Sequence, residues 1–138
     1  MNETMSDEEF FERFEGGALD ARIFSHSAHV KMAWIYLGKY DLPEALHNFS
    51  RALKNFAKVN NAPALYHETI TFAYLSLIHE RIQRDGGRTW VEFALTNPDI
   101  FDWKESILKK YYREETLKSD FAKKYFVFPD KFGTPNYT

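Results

Sequence analysis

Between residues 42 and 56 the chain places Leu42, Leu46, Phe49, Leu53 and Phe56 at alternating steps of four and three. That spacing makes one apolar stripe on an α-helix; on a strand, where faces alternate every second residue, it would scatter over both sides. Asp41-Leu42-Pro43-Glu44 supplies the start, with an acceptor side chain at the cap and proline in the first turn, where its missing N–H costs nothing. Residues 59–63, VNNAP, supply the stop.

The same punctuation recurs along the chain. Ser6-Asp7-Glu8-Glu9 is a capping box before Phe10, Phe11 and Phe14, and Gly16-Gly17 closes that helix. Ser25 caps a helix to about Lys39 with His26, Val30, Ala33, Leu37 and Tyr40 along one stripe. A long helix is expected from about Pro63 to Arg84, ended by Asp85-Gly86-Gly87. Thr89-x-x-Glu92 opens a short helix, Asp102-x-x-Glu105 another to about Arg113, and a last piece spans Ser119 to Tyr125. No segment sustains period-two alternation with β-branched residues. The expectation is all-α: a single-domain helical bundle over residues 1–138, with five to seven helices around an antiparallel three-helix core at 25–39, 42–59 and 63–84. An extended aromatic C-terminal tail, residues 126–138, follows.

Composition bounds the function. Hydrophobic residues make up 44% of the 138 residues and aromatic residues 17%, enough for a dense core. The formal net charge is −2 and the two signs are interleaved, so no basic stripe points to nucleic acid or anionic lipid. With no cysteine there is neither a disulfide frame nor a thiolate zinc site. The acidic start, MNETMSDEEFFERFEGG, does not read as a secretory or transit signal, and the longest apolar run, near Phe72 to Ile78, is too short to span a bilayer. A cytoplasmic protein with no membrane partner is expected.

The candidate chemistry lies in three histidines. His26 and His29 are one turn apart at one helix start, and His67 follows a second helix start. Short connections make the first and third core helices parallel, so both starts fall at one end of the bundle. Four residues beyond Ser25 and four beyond Pro63, at about 1.5 Å per residue, put His29 and His67 roughly 6 Å above that end. Helix starts disfavour imidazolium, so the rings stay neutral and available. His26, His29 and His67 are therefore the expected ligands of one divalent transition metal (Zn, Fe, Ni, Mn or Cu) with open positions for a small-molecule substrate. Glu68 is the expected general base or fourth ligand, His67 a second catalytic group, and Tyr66, Thr71 and Trp34 the substrate-lining residues. Neither the metalloprotease signature His-Glu-x-x-His nor a pair of Glu-x-x-His motifs occurs, since only Glu44-x-x-His47 is present.

Two competing readings follow from the same residues. The histidines could be structural, in a non-enzymatic interaction module with a homodimer or another protein as partner. They could also form a metal-free acid–base or ligand-binding pocket.

Two resemblances bear on this. Residues 33–58, AWIYLGKYDLPEALHNFSRALKNFAK, resemble one tetratricopeptide hairpin, but its key positions do not recur 34 residues on, so an array is not expected. The stretches HSAHVKMAWIYL, YHETITFAYLSLI and YYREETLKSDFAKKYFVFPD resemble a family of small, mostly bacterial, all-helical proteins with HxxHxxxAW and YHETxT motifs and no established reaction. That resemblance implies that His26, His29, Tyr66, His67, Glu68 and Thr69 act as a set.

Overall fold

The structure, a computed structural model, describes residues 5–86 and 88–131. Among them seven α-helices occur and no strand: α1 Asp7–Glu15, α2 His26–Lys39, α3 Leu42–Val59, α4 Glu68–Asp85, α5 Trp90–Thr96, α6 Glu114–Leu117 and α7 Asp120–Lys124. Single 3-10 turns at Ala21–Ile23, Pro63–Leu65, Pro98–Phe101 and Ile107–Lys110 join them.

The caps act as their chemistry requires. Ser6, Ser25 and Asp41 each accept from the backbone N–H three residues on, at 3.1, 3.3 and 3.0 Å, filling donors that a helix start leaves empty. Thr89 and Glu92 form the full reciprocal box. After α1, Gly17 takes φ +74° while Ala18 N–H reaches Arg13 O at 2.8 Å and Gly17 N–H reaches Phe14 O at 3.1 Å. That is the left-handed stop for which glycine is suited, and a β-carbon there would also sit 3.0 Å from the Asn55 amide.

The helix α2 is the centre of the fold, packed against α1, α3, α4 and the 98–101 turn. It therefore buries Val30, Met32, Ala33, Ile35 and Tyr36, more than the single stripe its spacing suggests. On α3 the expected stripe holds, with Phe49 and Phe56 buried and Leu46 and Leu53 packed against the core. The Phe14 ring, wholly buried, meets Phe24, Tyr36, Phe49 and Phe56 with centroids 5.1 to 6.0 Å apart. Burying such a ring is worth about 1.5–3 kcal/mol.

Two expected boundaries are corrected. The third core helix begins at Glu68: after the 63–65 turn, His67 is extended (φ −135°, ψ 112°) and acts as the cap. The helix expected from Asp102 to Arg113 reduces to the turn Ile107–Lys110. Asp102 does accept from Glu105 N–H at 3.0 Å, but Ser106 then takes Leu108 N–H and restarts the chain.

The described part of the expected tail, residues 126–131, runs over α4 and the 107–117 stretch. Thr69, fully buried on α4, receives Val127 N–H at 3.1 Å, and its hydroxyl faces the carbonyls of Ala122 (2.7 Å) and Tyr125 (2.8 Å). Tyr112 donates to Val127 O at 2.6 Å, and Asp130 receives Arg113 N–H at 3.0 Å and the Thr116 hydroxyl. Residues 132–138 of the expected tail lie outside the described residues.

Candidate functional site: an apolar cavity lined by three histidines

A cavity of about 810 Å³ lies between α2, α3 and α4 and is bounded on a further side by Leu117, Lys118, Ser119 and Lys123. Its size falls within the usual range of small-molecule sites, roughly 300–1,000 Å³. The helix stripes that make the core also make its walls: Val30 and Ala33 from α2, Phe49, Leu53 and Phe56 from α3, Leu75 and Ile78 from α4. Leu65 and Trp103 line it while 79% and 55% exposed, so its rim carries apolar surface out to solvent.

All three sequence-nominated histidines line this cavity, but they differ in what their nitrogens do. His67 is engaged at both. Its Nδ1 accepts Ile70 N–H at 3.1 Å, capping α4, which leaves the proton on Nε2; that nitrogen donates to Leu117 O at 2.7 Å. His26 lies 2.9 Å through Nε2 from Ile100 O, which can only accept, so Nε2 carries its proton. The His26 ring packs against Trp103 and Tyr74, with centroids 4.9 and 5.3 Å away.

His29 is the exception. Its ring stacks on Phe24 at 3.9 Å, and among the described residues no hydrogen bond occupies either nitrogen. Among the described residues no buried side-chain nitrogen is sealed without a partner, so the His29 nitrogens keep accessible surface, and the residue lines the cavity. Burial, and secondarily the neighbouring His26, pushes its pKa down to about 4. At neutral pH His29 is a neutral imidazole with one donor and one acceptor.

The other nominated residues are mostly satisfied internally. The Tyr66 hydroxyl donates to Glu68 at 2.6 Å, and burial with that bond holds its pKa far above the phenol range. Glu68 also lies 3.8 Å from Lys54 Nζ and is not part of the cavity wall. Thr71 lines the cavity but gives its hydroxyl to His67 O at 2.7 Å. Trp34 is absent from the cavity wall and packs on Trp90 at 5.6 Å, so its expected lining role is corrected. Phe24, Trp103 and Leu117 escaped the reading of the sequence as site residues. For Phe24 its position next to the Ser25 cap was a usable signal; the others come from segments whose docking no local pattern encodes.

The donor set as placed does not fit a three-histidine metal centre. Coordination takes a lone pair from each imidazole, and both His67 nitrogens are engaged. Among the described residues no group of three His, Asp or Glu side chains is arranged to hold an ion. The level argument behind the expectation also changes, because His67 caps α4 instead of lying a full turn inside it.

No protein-family model, curated protein or solved structure matches the chain. Among the described residues no helix is long and apolar enough to cross a membrane.

Proposed function

We propose that the chain is a binding protein for a small, mainly apolar molecule, held in the cavity between α2, α3 and α4. The carrying observation is a sizeable pocket, open to solvent at its rim and walled largely by core side chains, in which His29 is the one imidazole with both nitrogens uncommitted among the described residues. Binding fits better than catalysis. Glu68, the expected base, is tied to Tyr66 and Lys54, and among the described residues no carboxylate is bonded to His29 to orient it.

The test is titration with a neutral solvatochromic dye such as Nile red, against wild-type protein and Leu53→Trp, which narrows the cavity from α3. Saturable fluorescence enhancement in the wild type and its loss in a variant with an unchanged far-ultraviolet circular dichroism spectrum are expected. Equal enhancement in both proteins, or none in either, would overturn the reading.

A second reading, a contact surface for a protein or a second copy, draws its support from α7 and the residues after it. Phe121, Tyr125 and Phe128 are 62%, 58% and 80% exposed there, and exposed aromatic rings close together in the chain are the kind of surface that contacts use. Sedimentation velocity across a concentration series tests it: a monomer throughout removes the second copy.

A further inference from the structure

The ligand's polar group can be specified further. We infer that the cavity selects an alcohol, aliphatic or phenolic, whose hydroxyl pairs with His29, over the carboxylate of the same carbon skeleton; this rests on the small-molecule reading above. Several polar side chains of the wall are engaged within the protein, and His26, bonded through Nε2 to Ile100 O, keeps only an acceptor nitrogen. The Tyr66 hydroxyl is held by Glu68, Thr71 by His67 O, Tyr74 by Ser106 Oγ at 2.8 Å, and both nitrogens of His67 by Ile70 and Leu117.

Of the three imidazoles in the wall, His29 alone has both nitrogens, a donor and an acceptor, unbonded among the described residues, and its ring is stacked on Phe24. A hydroxyl uses either half of that pair and brings no charge into an apolar site. A carboxylate uses only the donor half and loses its water, with no cation beside it to compensate. The two lysines of the wall do not reverse this. Lys118 is paired with Glu114 at 3.1 Å and largely exposed, and Lys123, which has no salt bridge among the described residues, stands on α7 while His29 stands on α2. The depressed pKa of His29 agrees, since it keeps the ring from becoming the missing cation at neutral pH.

The experiment is calorimetric titration of the full chain at neutral pH with octan-1-ol and with octanoate, repeated on His29→Phe and His29→Gln. In the wild type octan-1-ol should bind at least about tenfold more tightly than octanoate, the equivalent of one buried hydrogen bond. His29→Phe, which keeps a ring of similar size on Phe24, should remove about tenfold of alcohol affinity and leave octanoate little changed. His29→Gln, which restores a donor and an acceptor, should recover most of the loss. Octanoate binding as tightly as the alcohol, or an alcohol affinity indifferent to His29→Phe, would overturn the inference while leaving the cavity reading standing. Binding of neither probe would sink both.

Discussion

The Phe24 and His29 rings lie 3.9 Å apart with planes 26° from parallel, and this pair sets the electrostatic character of the cavity. Held against a phenyl face, the imidazole gives up water on that side, and the proton becomes costly to hold.

The first prediction follows from that pair. The His29 pKa is about 4 in the folded protein against 6.5 for an ordinary histidine. The unfolded chain thus binds the extra proton first, and stability falls as pH drops from about 6.5 towards 4, by an amount on the order of 3 kcal/mol. Above 6.5 the group is neutral in both states and stability is unaffected by it. Urea denaturation of wild type and His29→Phe across that window should show the wild type losing stability more steeply. Proton NMR of the His29 ring gives the same answer directly; a titration midpoint near 6.5 would refute it.

A second prediction separates cap from ligand. His67 caps α4 through Nδ1 and holds Leu117 O through Nε2. His67→Ala should cost about 1–3 kcal/mol, a cap together with a partly buried bond. His67→Asn, a good cap residue, should recover about half. Wild-type melting temperature should not move on adding Zn, Fe, Ni, Mn or Cu. A metal-dependent rise that His67→Ala abolishes would restore the three-histidine centre.

A third prediction concerns the buried Thr69 hydroxyl. Thr69→Val keeps the shape but strips the bonds to residues 122, 125 and 127, leaving buried backbone groups unpaired. A loss of about 1–3 kcal/mol is expected, with Thr69→Ser near wild type. Hydrogen exchange should speed up at Val127 N–H in Thr69→Val; unchanged protection there would show that the hydroxyl does not hold the strap.

How far the sequence carried this picture depends on the range of the interaction. Ser6, Ser25, Asp41 and Thr89 each bond three residues ahead, and all four helix starts were legible. The break at residues 66–67 was not, because histidine is an unusual cap and Pro63 offered a more ordinary start. Helix order led to the expectation of one histidine cluster; His26, His29 and His67 all line the cavity, but among the described residues they form no group able to hold an ion. Their chemistry was not legible, since the acceptors that fix it, Ile100 O and Leu117 O, lie 74 and 50 residues from their histidines in the chain. Nothing local to a His-x-x-His motif distinguishes an imidazole awaiting a metal from one that has found a distant carbonyl.

Those distant carbonyls bear on the order of assembly. Helices α1 to α4 are joined by neighbour contacts, whereas the wall at Leu117–Lys123 is secured to α4 across 50 to 58 residues, through His67 and Thr69. Loop closure of that length is slow relative to helix pairing. During synthesis the helices of the trough leave the ribosome before the residues that wall it in. The cavity is closed by residues made after the helices that frame it.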